Sequence, residues 1–165
     1  MADDLVDFDA KTSRVLVVAP EFSGIAARVA KRRLPTPAEG STGLEYLVLS
    51  DDVRVAVVNH QWAVMAAAWP EVDLPQYIGT VNPGSPLEKK IGEPAPYTRG
   101  AASGKTTIFS MQEGAEGMAC VAYDIKAGMH RLTGFICLPG TAPLSADDVK
   151  RLVGGLGISG ELAPG

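Results

Sequence analysis

The chain has 165 residues, 46% of them hydrophobic, and a formal net charge of −4 at pH 7. This length suits one domain with a substantial core, and the apolar fraction excludes an intrinsically disordered protein. The mild acidity argues against nucleic-acid binding, because such sites need concentrated positive charge. We therefore predict one globular domain over residues 1–165 that does not bind nucleic acid.

The first predicted elements are a strand and a helix. Residues 14–19 are rich in β-branched side chains and end at Pro20, which predicts a strand. The following segment, residues 21–33, predicts a helix, because its apolar residues recur at helical spacing: Phe22, Ile25, Ala26 and Val29.

Two further strands are predicted over residues 44–49 and 53–58, as a hairpin. A short helix is then predicted from His60 to Trp69, with Asn59 as its cap. In that helix Trp62 and Trp69 would share one face. Such a stripe is more typical of a core than of a binding surface, but Trp62 remains a candidate ligand contact.

Between residues 70 and 104 the sequence predicts an irregular excursion rich in proline and glycine. Six of the chain's 12 prolines lie there, and one short strand is expected over residues 76–81. A segment this long without regular structure is often functional, or it covers part of a sheet. With Trp62, the side chains that could contact a protein partner or a small polar ligand are Tyr77, Asn82, Tyr97, Arg99 and Lys105.

The last predicted elements are three strands and a helix. The strands cover residues 106–111, 118–126 and 131–138, and the second and third form the hairpin that the sequence specifies best. Gly128-Met129 fits a two-residue type II′ turn, which needs a positive φ at its first position. The helix runs from Ala146 to about Gly154, with Ser145 and Asp148 as a capping box.

Counting outward from the Gly128-Met129 turn places Cys120 opposite Cys137. In this register one face is wholly apolar, with Tyr123 covering Gly134, and the other face is mixed, as expected of a half-exposed face. The cysteines fall at a non-hydrogen-bonded pair, where Cα atoms are roughly 4.5 Å apart and a disulfide can form. The alternative is a pair of reduced cysteines that act as small apolar residues.

A disulfide indicates an extracytoplasmic, periplasmic or secreted protein. Met1 is followed by the acidic residues Ala2-Asp3-Asp4, a start unlike that of a targeting segment. The sequence also contains no apolar run long enough to cross a membrane. Two interpretations follow. Either a leader has been removed and replaced by a starting methionine, as the cysteines favour, or the protein is cytoplasmic.

No complete catalytic motif is present. Gly100-Ala-Ala-Ser-Gly-Lys-Thr-Thr107 has three residues between its glycines where a phosphate-binding loop needs four, and it does not open a predicted helix. The spacing of His60 and His130 predicts no metal site, and nothing indicates a cofactor. A Cys–His pair formed only in space, such as Cys120 or Cys137 with His60, stays open.

The order of elements predicts an α+β fold: a single domain, mainly antiparallel sheet, with two or three helices packed on one face. The leading functional hypothesis is a non-catalytic extracytoplasmic binding or interaction domain stabilised by one disulfide. The alternative is a small enzyme with a site assembled near His60 and the 70–104 segment. A third hypothesis is a redox-active disulfide, which would have a high reduction potential.

Overall fold

The structure is a computed structural model that describes residues 5–37, 41–64, 69–81, 88–113 and 115–165. Within these residues, nine strands form one antiparallel sheet. Its strands are β1 (Val6–Asp7), β3 (Ala27–Arg33), β4 (Thr42–Ser50), β5 (Val55–Ala63), β6 (Glu88–Ile91), β7 (Ala95–Arg99), β8 (Ala102–Glu113), β9 (Glu116–Ala127) and β10 (His130–Pro139). No helix in this part of the chain is long and apolar enough to cross a membrane.

The strand order of the main sheet is β1-β3-β4-β5-β10-β9-β8-β6, and β7 also pairs with β8. A second sheet consists of β2 (Val15–Val17) and β11 (Leu156–Ile158). Among the described residues the regular structure is completed by two α-helices, α1 (Leu74–Thr80) and α2 (Ala146–Gly154), and by two 3₁₀ turns, Ala10–Thr12 and Pro20–Phe22.

The two helices cover opposite faces of the main sheet. Leu152 and Val153 of α2 belong to a core cluster with Val121 and Ile136, and the second sheet packs against this same face. Leu74 and Ile78 of α1 belong to another cluster, with Cys120, Ala122 and Cys137. The predicted α+β arrangement with two or three helices on one face is therefore wrong: the fold is mostly antiparallel sheet with two short helices.

The β9–β10 hairpin has the predicted register. Ala127 pairs with His130, Tyr123 with Gly134, and Cys120 with Cys137. Gly128 has a φ of 60°, and no residue other than glycine has a positive φ in the described part of the chain, which fits a type II′ turn and excludes type I′. The disulfide is present, with Cα atoms 4.1 Å apart.

The hairpin face predicted to be half-exposed is instead buried. Cys120, Ala122 and Cys137 are each 0% exposed. Helix α1 covers this face, and the hairpin sequence gave no signal for that covering because it comes from a distant segment. Both faces of the central strands are therefore core.

Three predicted elements are wrong. Residues 27–33 form β3 and not part of a helix, and His60 lies in β5 and not at a helix start. Residues 74–80 form α1, with Asp73 accepting a hydrogen bond from the Gln76 amide, where a strand over 76–81 was predicted. Segments 27–33 and 55–63 are strands because they pair with β4 and β10 along their length. This strand pairing outweighs the weak local preference of the residues for a helix.

Other local predictions are confirmed. The β4–β5 hairpin is present, and the Ser145–Asp148 capping box begins α2. Where the sequence predicted an irregular excursion, the described residues form α1, β6, β7 and the start of β8. That one domain spans residues 1–165 stays a prediction.

Candidate functional site

The predicted binding residues lie in separate parts of the fold. Tyr77 of α1 packs against Phe135 with ring centroids 6.5 Å apart, and burial raises its pKa to about 12. Lys105 forms an ion pair with Glu71, with Nζ and Oε2 separated by 3.1 Å. Asn82 lies outside the described residues. These side chains do not converge on one site.

Arg99 binds the end of α2. Its Nη1 donates to the Gly154 carbonyl at 2.6 Å and to the Val153 carbonyl at 3.2 Å, and its Nη2 donates to the Leu156 carbonyl at 2.6 Å. These carbonyls lie at or just beyond the C-terminus of the helix, where a cation is favourable. The guanidinium also lies 6.0 Å from the Tyr97 ring. Arg99 therefore forms its hydrogen bonds within the fold, and these bonds hold α2 and β11 against β7.

Trp62 lies over His60 on the main sheet. The two ring centroids are 5.1 Å apart, and Gly43 on the paired strand makes room for the indole, since a Cβ there would lie 2.0 Å from the Trp62 ring. His130 is the register partner of Trp62. The residue predicted to contact a ligand thus covers a buried pair of histidines.

The two histidines form a chain of polar contacts with two glutamates. His60 Nδ1 lies 3.4 Å from Glu45 Oε1, and His60 Nε2 lies 2.9 Å from His130 Nδ1. At the other end, His130 Nε2 lies 3.7 Å from Glu161 Oε2. We call these four residues the histidine array.

The array lies on three adjacent strands. Glu45 of β4 is the register partner of His60 on β5, and His130 begins β10 next to them. Strand alternation puts all three on the face covered by α2 and the second sheet. Glu161 reaches the array from the segment after β11, and Arg14 Nη2 lies 3.4 Å from its Oε1.

Burial and neighbouring groups shift the pKa values of two members of the array, Glu45 and His130. Burial alone would raise the pKa of the Glu45 carboxyl, but interactions with His60 and Ser13 hold that pKa below its ordinary value. Burial lowers the pKa of His130, and the charge of His60 lowers it further, while Glu161 opposes both. The surroundings therefore keep Glu45 a carboxylate and disfavour a charged His130.

None of the chain's cysteine or histidine side chains is open to solvent. Cys120, Cys137 and His60 are 0% exposed and His130 is 7% exposed. Both sulfurs are in the disulfide, and both ring nitrogens of His60 face groups of the protein. A Cys–His catalytic pair is not formed, because the cysteines and His60 lie on opposite faces of the sheet. In the described residues, no group of three or more acidic, histidine or cysteine side chains could hold a metal ion.

A cavity of about 760 Å³ opens between the two sheets at the β1 edge. Its apolar walls include Val15 and Val17 of β2, Leu47 and Leu49 of β4, and Phe8. We call it the intersheet cleft. Its rim is charged and includes Asp7, Lys11, Arg28 and Lys31. Lys31 Nζ pairs with Asp7 at 3.0 Å, so part of this rim charge is neutralised.

A second cavity of about 680 Å³ lies at the end of the sheet near the disulfide. Val53 from the β4–β5 turn, Met111, Met118 and Pro139 contribute to its walls. Neither cavity is lined by His60, by a cysteine, or by the predicted binding residues.

Sequence reasoning missed both the histidine array and the intersheet cleft. The array depends on the register of β5 against β10, and residues 60 and 130 carry no spacing signal that joins them. The cleft exists because β2 pairs with β11 in a second sheet and not with a strand of the main sheet. Residues 14–19 and 44–49 were predicted as strands, but nothing in the sequence indicated that they line a cleft.

No protein-family model, no curated protein and no solved structure matches this chain.

Proposed function

We propose that the protein is a non-catalytic extracytoplasmic binding domain that takes an apolar or amphipathic small molecule into the intersheet cleft. The observation that carries this proposal is the cleft itself, an open cavity of about 760 Å³ with apolar walls from both sheets. Small-molecule sites are concave, mostly apolar and roughly 300–1,000 Å³ in volume.

The cleft walls are partly open to solvent. Val15, Val17 and Leu49 are only partly buried, although each packs against the main core. A ligand with an apolar body would remove this surface from water, a gain of about 25 cal/mol for each Å² buried. The charged rim would orient a polar end of the same molecule. This favours an apolar or amphipathic ligand over a purely polar one.

The non-catalytic part of the proposal is supported by the state of the reactive side chains. A general base or nucleophile must reach its substrate within hydrogen-bond distance, and His60 and both cysteines are fully buried and bonded within the fold. The extracytoplasmic part is supported by the disulfide, because disulfides persist in oxidising compartments.

The alternative function, a small enzyme with its site near His60, has one supporting observation. A carboxylate beside a histidine nitrogen, as Glu45 lies beside His60, is a common way to orient a catalytic imidazole. Against it, Trp62 and His130 enclose that imidazole. A hydrolytic activity lost in a folded His60→Gln variant would favour the enzyme.

The binding proposal is tested with the uncharged apolar dye Nile red. We expect saturable fluorescence enhancement with one site per native protein, and weakening by tenfold or more in Leu49→Gln. Val17→Thr is a milder second variant that changes polarity with little change of shape. The matched control is Val53→Gln, which alters the other cavity and should leave dye binding unchanged.

Circular dichroism and thermal unfolding establish that each variant is folded before its dye affinity is compared. Saturable binding that depends on Leu49 or Val17 but not on Val53 supports the proposal. Absence of saturable binding to the native protein, or equal binding by all four proteins, overturns it.

A further inference from the structure

The rim of the intersheet cleft carries more positive than negative side chains. The charged residues that line the cleft are the cations Lys11, Arg28 and Lys31 and the acids Asp7 and Asp9. The chain as a whole has a net charge of −4, so the rim differs in sign from the protein that surrounds it. Apolar walls of low dielectric concentrate the field of the charges around a cleft. The rim therefore favours a negatively charged group on a bound molecule.

Both acidic side chains of the rim are engaged by groups of the protein. Asp7 Oδ1 accepts a hydrogen bond from Lys31 Nζ at 3.0 Å, so these two charges offset each other. Asp9 caps the 3₁₀ turn that follows it, and its Oδ1 accepts a hydrogen bond from the Lys11 amide at 3.0 Å. The side chains of Lys11 and Arg28 therefore remain as the rim charges that a ligand meets.

Arg28 lies at an irregularity of the edge of the sheet. The register between β3 and β4 shifts between Ala27 and Val29, so Arg28 has no partner on β4. Such bulges occur at sheet edges, where they redirect a side chain, often next to a site. The carboxylate closest to pairing with it, Asp52 Oδ1, lies 3.9 Å from Nη2, beyond hydrogen-bond distance, and both side chains are exposed. Because such a pair contributes little, the guanidinium stays available to an anion.

Lys11 adds a second cation from a different segment of the chain. It lies in the 3₁₀ turn that precedes β2, whereas Arg28 lies on β3 of the main sheet. The Lys11 side chain is exposed, and its ammonium forms no ion pair with the part of the chain that the structure describes. Two separate segments that line the cleft thus each contribute one cation whose charge is not offset by a close carboxylate.

One further carboxylate lies on the same face of the main sheet. Glu45 precedes Leu47 by two residues on β4, so alternation puts both side chains on that face. Glu45 does not line the cleft: it is 3% exposed, and its Oε1 lies 3.4 Å from His60 Nδ1. Arg32 adds positive charge beside the cleft, because its guanidinium lies 4.7 Å from the ring of Phe8, a wall residue. The surroundings therefore leave the positive charge of the rim in place.

We propose that the intersheet cleft binds a single-chain amphiphile with an anionic head, of the fatty-carboxylate class, whose head is held by Arg28 and Lys11. This inference rests on the proposed function, because the cleft must accept an apolar body before the head group matters. The tail contacts the apolar walls formed by Val17, Leu47 and Leu49. The planar fork of a guanidinium matches the two oxygens of a carboxylate. A cationic head on the same tail meets the same two cations and is repelled.

The first experiment compares three molecules that share one tail: decanoate, decanol and decylamine. At about pH 8 the first is an anion, the second is neutral and the third is a cation. Isothermal titration calorimetry of the full chain measures each affinity, and displacement of Nile red shows that the molecule occupies the cleft. We expect decanoate to bind about tenfold more tightly than decylamine or better. Raising the ionic strength from about 0.01 to about 0.15 M should weaken the binding of decanoate and not that of decanol.

The second experiment removes the two rim cations one at a time. Arg28→Gln and Lys11→Gln should each weaken the binding of decanoate by about fivefold, the size expected of an exposed charge pair. Both variants should bind decanol as the wild type does, because the apolar walls are unchanged. The matched control is Lys150→Gln, which removes an exposed cation of α2 that does not line the cleft. This control should leave all three affinities unchanged, and circular dichroism shows that each variant is folded.

The outcomes separate this inference from the proposed function. Equal affinities for decanoate and decylamine, or unchanged decanoate binding in both rim variants, overturn the anionic head alone, provided that decanol and Nile red bind. Absence of binding by Nile red and by all three molecules overturns the proposed function and this inference together. Binding to phosphatidylglycerol vesicles without binding of monomeric decanoate also overturns it, because the cations of the rim then contact a membrane surface.

Discussion

Arg131 and Asp124 form a buried, two-point ion pair on the sheet face that α1 covers. Arg131 Nε donates to Asp124 Oδ1 at 2.7 Å and Nη2 donates to Oδ2 at 3.0 Å, and each residue is 3% exposed. Thr133 also donates to Asp124, and Nη2 reaches the Pro70 carbonyl at 2.8 Å. The pair thereby ties the β9–β10 hairpin to the segment that leads into α1.

Asp124→Asn should lower the free energy of unfolding by about 3–5 kcal/mol, because it leaves the Arg131 charge buried without a counterion. Urea denaturation at neutral pH measures this loss. The control is Glu71→Gln, which removes an exposed carboxylate between Lys105 and Lys126 and should cause no resolvable change. Equal effects from the two variants would contradict the buried-pair interpretation.

The disulfide should be fully formed in protein recovered from its native compartment. Alkylation without reductant is expected to label neither Cys120 nor Cys137, as judged by intact mass. The double variant Cys120→Ala/Cys137→Ala should lose at most about 3 kcal/mol, since the hairpin already holds the two strands together. Complete labelling of both thiols would contradict the extracytoplasmic proposal.

Gly134→Ala should destabilise the protein by about 2–3 kcal/mol, because the added methyl group has no room. Its Cβ would lie 1.9 Å from the Val57 carbonyl oxygen and 2.6 Å from the Tyr123 hydroxyl oxygen. That hydroxyl donates to the same carbonyl at 2.7 Å, so the substitution disturbs a buried hydrogen bond as well.

Gly79→Ala is the matched control for this substitution. Gly79 lies in α1, and a Cβ there would have no neighbour within 4 Å. We expect a neutral change or a gain of up to about 1 kcal/mol, since alanine restricts the unfolded chain and favours helix. Thermal unfolding of both variants makes the comparison, and a neutral Gly134→Ala would contradict the close packing of residue 134 against the Val57 carbonyl.

Arg99→Lys should lower stability by about 1.5–3 kcal/mol. A lysine ammonium cannot reproduce the forked contacts with the carbonyls of Gly154 and Leu156. Amide exchange should accelerate at α2 and β11 and remain unchanged at α1. A variant with native stability that has lost ligand binding would instead make Arg99 the binding residue that the sequence predicted.

Side-chain alternation was enough to predict the centre of the fold. From Met118 to Leu138 it specified the strands, the turn and the register, and it favoured the disulfide, because all of these follow from residues close to one turn. The same reasoning failed for residues 21–33, where apolar side chains fit a helix as well as a strand. Pairing with the next strand, β4, decided between them, and the pattern of residues 21–33 alone does not show that pairing.

The functional candidates were harder to predict for a related reason. Tyr77, Arg99 and Lys105 are polar or aromatic residues in a proline-rich segment, which is typical of binding surfaces and equally of side chains that anchor loops. Their partners are the Phe135 ring, carbonyls at the end of α2, and Glu71. The type of a residue alone does not show whether its side chain contacts a ligand or a partner within the fold.

By itself the sequence determined the β9–β10 hairpin and the capped start of α2, and it favoured the Cys120–Cys137 bridge, since each depends on interactions between residues near in the chain or joined by one turn. Only the tertiary structure decided that α1 and α2 cover opposite faces, that His60 meets His130, and that a cleft opens between the two sheets. These features depend on contacts between distant segments. Their geometry is fixed by burial of apolar surface and by strand pairing, which local preference does not encode.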